Sequence, residues 1–336
     1  MIYPKFLKEN NRIGVPAPSA GADNKTKAKF ENSIKNMEKL GYKIQASKNL
    51  LKCEKGRSSS AIERADEINR MFYSKDIDII LCATGGEFLV EILPYINFEI
   101  IKTNPKLISG FSDPTGLLYP ITTKYDIATI YGKNFSSFGM ENFHKSQYDF
   151  LEIIKGNIIE QESFELYEEE QKAGITGLEG YNLTKKVYWN TLNNKEVTLN
   201  GRIVGGCFDI IAELAGTKYD GINEFNKKYK NDGVIWYFDN CELSLNETIR
   251  TLWKLDELGY FKYTKGVIFG RFGVETDYFG YGIEECLKDS VLSKKNIEVV
   301  YNADISHKPP CLTIINGSIA NVNVNNGKGK ISFELK

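Results

Sequence analysis

A nearly uninterrupted apolar run in the first third of the chain most constrains the fold. Residues 77–83 read Ile-Asp-Ile-Ile-Leu-Cys-Ala and lead directly into Thr84-Gly85-Gly86. A strand that is apolar on both faces is typical of the centre of a parallel sheet, where helices cover both sides. The run therefore predicts a helix-covered parallel sheet, with a glycine turn at the carboxyl end of this strand.

Strand and helix signals alternate around this central strand. Residues 12–15 and 106–109 read as further strands, and apolar residues at helical spacing predict helices near 30–40 and 62–72. Such alternation is typical of a doubly wound sheet, whose ligands bind at the carboxyl ends of the strands. We therefore predict a doubly wound N-terminal domain over residues 1–155.

The rest of the chain predicts a linker and a second domain. Residues 156–195 include an acidic stretch and several glycines, so we interpret them as a linker with a mobile loop. Residues 196–336 form the predicted C-terminal domain. Its predicted elements are strands at 233–238, 266–270 and 297–301, a helix at 246–258, and a hairpin of strands 318–324 and 330–335 around Asn325-Asn326-Gly327.

Composition excludes several classes of function. A length of 336 residues favours two domains sharing a cleft, and a net charge of −1 without a Lys/Arg cluster argues against nucleic acid as a partner. No stretch approaches the roughly 20 apolar residues of a membrane span, and the start lacks a signal-peptide core, so we expect a soluble cytoplasmic protein. Six scattered cysteines without a CxxC pair indicate reduced thiols, and only two histidines nearly exclude a His-rich metal site. We expect no cofactor.

Ser112 is the candidate nucleophile. It follows a predicted strand within Gly110-Phe111-Ser112-Asp113-Pro114. A serine on such a strand-to-helix turn is held exposed, and the next backbone N–H, that of Asp113, points toward the space an oxyanion would occupy. The alternative is that Ser112 or Asp113 only caps the following helix, with Pro114 in its first turn. Because Pro stands at position 114, the motif is not G-x-S-x-G, and an ordinary α/β-hydrolase is not supported.

The glycine pair and one histidine are further candidates for chemistry. Gly85 and Gly86 permit close approach of the backbone to a substrate and offer unhindered N–H donors, although a simple tight turn would need them too. His307 lies in Asp304 to Pro310, where the prolines stiffen the loop, as suits a fixed base; the alternative is an ordinary surface histidine. His144 resembles an ordinary helix or loop residue.

An imidazole base normally needs an acidic partner on its other nitrogen. Asp239 lies at the carboxyl end of the strand 233–238, at the depth that this role requires. Glu242, three residues further on, remains an alternative, and either residue could instead cap the helix that follows. The sequence leaves the choice between the two carboxylates open.

Several short segments, in the same order along the chain, resemble the LD-carboxypeptidase family, which includes the microcin C self-immunity proteins. The segments are Gly110-Phe111-Ser112-Asp113, Ala83-Thr84-Gly85-Gly86, residues 64–69, 132–135, 201–206 and 304–310. The resemblance implies a flavodoxin-like N-terminal domain and a smaller β-rich α/β C-terminal domain, with a triad assembled between them. It implies Ser112 as nucleophile, His307 as base, and oxyanion donors at Gly86 and Asp113. The family's acid is Glu, which aligns with Asp239 here, so the shorter Asp is a departure.

By this resemblance the expected function is a serine peptidase that cuts an amide bond near a free carboxylate. Its substrate would be an LD-peptide of murein or an aminoacyl nucleotide, and the protein would be a homodimer. Candidate substrate-binding residues are Gly85, Glu242 and Trp189, the last by stacking on a nucleobase. A rival hypothesis is a non-catalytic binding protein with a degraded triad. A nucleotide or flavin domain lacks support, since neither G-x-G-x-x-G nor G-x-x-x-x-G-K-[ST] occurs in a strand-to-helix turn.

Overall fold

A computed structural model of the chain describes residues 1–170, 176–274, 279–280 and 282–336. The elements of the first half are β1 (Arg12–Val15), α1 (Lys27–Lys39), β2 (Lys43–Ala46), α2 (Ala61–Tyr73), β3 (Ile79–Leu81), a 3-10 helix (Leu89–Tyr95), α3 (Phe98–Thr103), β4 (Leu107–Gly110), α4 (Thr115–Tyr125), β5 (Thr129–Tyr131), a second 3-10 helix (Phe135–Gly139) and α5 (Lys145–Ile154).

The first half of the chain forms a parallel sheet in the strand order β2-β1-β3-β4-β5. This is the flavodoxin-like order, in which ligands bind beyond the carboxyl ends of the strands. The central strands β3 and β4 are buried along their whole length, which explains why their sequences are nearly all apolar. The predicted fold class is confirmed.

The second half begins with short strands and continues as α/β structure. Its elements are β6 (Gln161–Glu162), β7 (Leu166–Tyr167), β8 (Lys185–Lys186), β9 (Asn190–Thr191), β10 (Val197–Cys207), α6 (Phe208–Leu214), α7 (Ile222–Lys228), β11 (Val234–Asp239), α8 (Leu245–Glu257), β12 (Thr264–Gly270), α9 (Ile283–Asp289), α10 (Val291–Lys294), β13 (Glu298–Ala303), β14 (Ile314–Asn316), β15 (Ile319–Asn325) and β16 (Lys328–Glu334).

Within the described residues, the second sheet has eight strands in the order β6-β16-β15-β10-β11-β12-β13-β9. Strands β10 to β13 are parallel, whereas the flanking pairs are antiparallel, so the sheet is mixed. Asp239 is the last residue of β11, and its carboxylate accepts a hydrogen bond from Tyr131 at the carboxyl end of β5 in the first sheet. The hairpin predicted near the carboxyl terminus is present as β15 and β16.

The two halves are joined by more than a linker. Strand β14 belongs to the second half of the sequence but pairs antiparallel with β5 and so completes the first sheet. The Thr115 hydroxyl, at the start of α4, accepts a hydrogen bond of 2.9 Å from the Cys207 N–H at the end of β10. The predicted linker also contributes two strands, β6 and β9, to the edges of the second sheet. Residues 171–175 of that predicted loop lie outside the described residues.

The buried side chains of both halves form one continuous apolar core, centred on the two sheets. In the part of the chain that the structure describes, no helix combines the length and the apolar character that crossing a bilayer requires.

Candidate active site

Ser112 stands on a strained turn between β4 and α4. Its φ of 69° lies in the left-handed region, which is uncommon for residues other than glycine. The turn is held by the Thr115 N–H, which donates to the Ser112 carbonyl at 2.9 Å. The Asn134 side chain also makes two hydrogen bonds to the backbone of Phe111. It accepts one from the N–H at 2.9 Å and donates one to the carbonyl at 3.1 Å. These contacts fix the direction of the Ser112 side chain.

The Ser112 hydroxyl does not cap helix α4. The residue at the N-cap position is Pro114, whose side chain makes no capping bond. The Ser112 Oγ instead lies 2.9 Å from the Nε2 atom of His307. The structure therefore does not support the alternative in which Ser112 caps the helix. The hydroxyl instead faces an imidazole that could accept its proton.

His307 is held by the loop that follows β13. The Arg271 guanidinium is 4% exposed and donates to the carbonyls of Lys308 at 3.2 Å and Pro310 at 3.1 Å. It also forms an ion pair with the fully buried carboxylate of Asp304. Because a buried charge pair bonded on both sides is costly to disrupt, this arrangement holds the loop rigidly against the second sheet.

Asp239 completes the hydrogen-bonded line. Its Oδ1 atom lies 2.9 Å from Nδ1 of His307, and its side chain is fully buried. Glu242, the alternative acid, is exposed, and its backbone N–H donates to Asp209 at 2.9 Å. Among the described residues, the Glu242 side chain makes no hydrogen bond or ion pair with His307. The structure therefore brings Asp239, and not Glu242, to the imidazole.

Burial and nearby charges shift the pKa values of three ionisable groups at or near the site. Burial lowers the pKa of His307, but the charge and hydrogen bond of Asp239 outweigh it, with a smaller contribution from the Cys241 thiol, so the pKa lies above the usual 6.5. Burial raises the pKa of the Asp113 carboxyl to about 6, although hydrogen bonds from Ser19 and the Leu89 N–H oppose the rise. The pKa of Glu242 is raised chiefly by the nearby charge of Glu87.

These shifts predict an unusual pair of histidine titrations, which is simple to resolve because the chain has only two histidines. His144 caps α5, and burial together with the charge of Lys133 lowers its pKa. NMR of the imidazole nitrogens should therefore show His144 titrating below pH 6.5 and His307 above it.

In Asp239→Asn the opposing charge is lost, so burial should bring the His307 midpoint below 6.5. A His307 midpoint at or below 6.5 in the unmodified protein would exclude an ionised Asp239 as its partner. The variant His144→Gln assigns the signals.

Two backbone N–H groups in the turns next to Ser112 have no protein partner among the described residues. Within the described ranges, neither Gly86 nor Asp113 donates its N–H to another protein group. Gly86 has φ of 148°, and a Cβ there would lie 2.3 Å from the Ser19 Oγ, so only glycine fits. A Cβ on Gly85 would lie 3.0 Å from the Ser112 Cβ, which shows how closely this turn approaches the serine. Such free donors are what an oxyanion hole requires.

Trp189 is not at the site, contrary to the expectation of nucleobase stacking. Its indole is 1% exposed and packs against Gly329, where a Cβ would lie 2.1 Å from the ring. Its Nε1–H donates at 3.0 Å to Asp304, the carboxylate that also holds Arg271. The ring therefore supports the base of the His307 loop, and its burial leaves no face for a ligand.

Sequence reasoning missed three residues around the site. Tyr131 contacts Asp239, Asn134 clasps the turn of Ser112, and Arg271 holds the His307 loop. Tyr131 is the last residue of β5 and Asn134 follows that strand, and polar residues at such strand ends face ligands in this fold class, which was an available signal. Arg271 gives no such signal, since its role depends on contacts between distant parts of the chain. In the described part of the chain, no three His, Cys, Asp or Glu side chains converge to hold a metal ion.

Fold and site together define a two-sheet α/β protein in which a serine, an imidazole and a carboxylate form one hydrogen-bonded line between the sheets. The chain belongs to the LD-carboxypeptidase family. Residues 13–132 match the model of the LD-carboxypeptidase N-terminal domain, and residues 200–322 match that of the C-terminal domain.

Known proteins resemble the chain over nearly its whole length. The microcin C7 self-immunity protein MccF of Escherichia coli is 26% identical over 317 residues, covering 92% of this chain and 89% of the relative. An MccF-like protein of Bacillus anthracis has a crystal structure with a TM-score of 0.85 and 24% identity, with full coverage of both chains.

Two other solved structures have the same fold; one contains a bound ligand and the other is named as an enzyme. MccF in complex with aspartyl sulfamoyl adenosine has a TM-score of 0.82 and 24% identity, covering 99% of both chains. A muramoyltetrapeptide carboxypeptidase of Oxalobacter formigenes has a TM-score of 0.74 and 18% identity, covering 97% of this chain and 99% of that one.

Proposed function

We propose that the chain is a serine peptidase of the carboxypeptidase type, which hydrolyses an amide bond near a free carboxylate. One observation carries the proposal. The Ser112 Oγ lies 2.9 Å from Nε2 of His307, and Nδ1 of the same ring lies 2.9 Å from the Asp239 carboxylate. Hydroxyl, imidazole and carboxylate in this order are the parts of a nucleophile, a general base and the group that orients it.

The proposed reaction passes through an acyl-enzyme. Ser112 attacks the carbonyl carbon while His307 takes the hydroxyl proton at Nε2, and the carbonyl oxygen becomes an oxyanion bound by the N–H groups of Gly86 and Asp113. His307 then gives the proton to the leaving amine as the carbon–nitrogen bond breaks. Water then attacks the acyl carbon while His307 takes one of its protons, and His307 returns that proton to the Ser112 oxygen as the ester bond breaks and the acid product leaves. Asp239 keeps the Nδ1 proton in place and stabilises the imidazolium.

Two substrate classes are consistent with the relatives. One related structure is named a muramoyltetrapeptide carboxypeptidase, and another relative, MccF, has been solved with an aspartyl sulfamoyl adenosine. We propose that this chain accepts an LD-linked peptide or an aminoacyl nucleotide of this kind. Both present an amide-type carbonyl to a serine. We further propose that the protein acts in the cytoplasm as a homodimer and needs no cofactor.

A substrate panel tests the proposal and separates the two classes. The purified protein is offered an LD-tetrapeptide ending in D-alanine, the same peptide with its terminal carboxylate amidated, and an aminoacyl sulfamoyl adenosine. We expect turnover of the first or the third, detected by mass spectrometry, and little turnover of the amidated peptide. Equal turnover of the free and amidated peptides would contradict recognition of a carboxylate.

The rival function is a binding protein that uses the same cleft without chemistry. The replacement of the family's Glu by Asp239 motivates it, but the 2.9 Å contact between Asp239 and His307 weakens that motive. A fluorophosphonate probe distinguishes the two. Covalent labelling of Ser112 supports the hydrolase, whereas binding of the panel compounds without labelling or turnover supports the binder.

A further inference from the structure

Tyr131 lies where the two halves of the molecule meet at the site. It is the last residue of β5, and its side chain is 1% exposed. Its ring centroid is 5.0 Å from that of Phe111, beside the nucleophile, and 5.6 Å from that of Tyr237 in β11. Aromatic packing on two sides leaves the ring in one orientation.

The hydroxyl of Tyr131 contacts two of the three residues in the hydrogen-bonded line. It donates to Oδ2 of Asp239 at 2.6 Å and accepts from the backbone N–H of Ser112 at 3.3 Å. Oδ1 of Asp239 is already engaged by His307, so the phenol satisfies the other oxygen of a fully buried carboxylate. An unsatisfied buried oxygen would be costly and would leave the carboxylate free to rotate.

We propose that Tyr131 is a positioning residue that aligns the Asp239 carboxylate with His307 and ties it to the backbone of the nucleophile. The inference rests on the proposed function and deepens it, because Tyr131 comes from the first sheet and Asp239 from the second. The Tyr131 hydroxyl thus sets the distance between Ser112, which the first half contributes, and Asp239, which the second half contributes. It also offers a second anchor for an acid whose side chain is one methylene shorter than the family's Glu.

The phenol has an electrostatic effect as well as a geometric one. Burial and the charge of Asp239 raise the pKa of Tyr131 above its usual value, so the phenol remains a neutral donor. A donor on Oδ2 stabilises the negative charge of the Asp239–His307 pair when the imidazole is neutral. It therefore lowers the affinity of the pair for a proton and favours the form in which His307 acts as a base.

The test compares Tyr131→Phe with Tyr237→Phe, a matched control. Tyr237 is as deeply buried and packs against the Tyr131 ring, but its hydroxyl donates to Asn316 at 3.0 Å and, among the described residues, makes no hydrogen bond to any of the three site residues. Each change removes one buried hydroxyl and keeps the ring. Three quantities are measured for both variants: kcat and KM on the best panel substrate, the rate of fluorophosphonate labelling, and the NMR titration of His307.

For Tyr131→Phe we expect kcat and the labelling rate to fall roughly tenfold to a hundredfold, the range for loss of a hydrogen bond to a charged group. KM should change little, and the His307 midpoint should move to higher pH. For Tyr237→Phe all three should stay near those of the unmodified protein. Equal effects in the two variants, or an unmoved His307 midpoint in Tyr131→Phe, would overturn the proposal.

Failure of the proposed function gives a different result. If the unmodified protein neither turns over any panel compound nor labels at Ser112, the hydrolase proposal fails. The His307 titration needs no activity, so it still decides whether Tyr131 tunes the Asp239–His307 pair.

Discussion

Replacing Ser112 with Ala is expected to lower kcat by roughly a millionfold, the scale seen when the nucleophile of a serine hydrolase is removed. The loss is this large because no acyl-enzyme can form, and only binding and oxyanion stabilisation remain. Labelling by the fluorophosphonate probe should disappear together with turnover. Circular dichroism and thermal unfolding should change little, because the variant removes one partly exposed oxygen.

Ser109→Ala is the matched control. Ser109 lies on β4, three residues before the nucleophile, and its buried hydroxyl donates to the Lys133 carbonyl at 3.3 Å. Its loss should alter kcat by no more than a few fold. Retention of wild-type turnover or labelling in Ser112→Ala would refute the assignment of the nucleophile.

Replacing Asp239 with Asn should lower kcat by roughly ten-thousandfold, as in other triads whose acid becomes an amide. Asn matches Asp in shape, so the fold is kept, but its side chain favours the wrong tautomer of His307 and cannot stabilise the imidazolium. The loss should be greatest at pH values above the raised pKa of His307, where the imidazole is neutral in both proteins, and it should shrink as the pH falls below that pKa. Measurement of kcat against pH for both proteins shows whether the effect follows the protonation of His307.

Glu242→Gln distinguishes the two candidate acids. Glu242 is exposed, and among the described residues its side chain makes no hydrogen bond or ion pair with His307, so this variant should change kcat by only a few fold. Any larger effect should fall on KM, as suits a residue at the mouth of the site. A ten-thousandfold fall in Glu242→Gln with a mild effect in Asp239→Asn would reverse the assignment of the acid.

Much of the first sheet could be predicted because the apolar composition of its strands indicates that they are buried. The apolar run before Gly85 and the run before Ser112 both predict central parallel strands, and parallel order brings their carboxyl ends to one edge. That rule alone places Gly86 near Ser112. The contact with His307 could be expected only from the family resemblance, because it joins residues far apart in sequence.

Other features could not be predicted because they depend on contacts between distant segments. Strands β6 and β9 are two residues each, too short to show any periodicity, so residues 156–195 read as a linker. The sequence allows Trp189 to be interpreted as a stacking residue, because no neighbouring residue indicates that its indole N–H donates to Asp304. The choice of Asp239 over Glu242 likewise depends on how the loop at 241–243 turns, with its N–H groups donating to Asp209.

The pairing of β14 with β5 has a consequence for how the molecule is made. During synthesis the ribosome releases all five parallel strands of the first sheet long before it reaches residues 314–316. Until then the β5 strand presents bare N–H and C=O groups, the kind of edge that recruits stray strands. The nascent polypeptide is thus most exposed to misassembly until residues 304–316 emerge, because this segment both pairs with the β5 edge and carries His307.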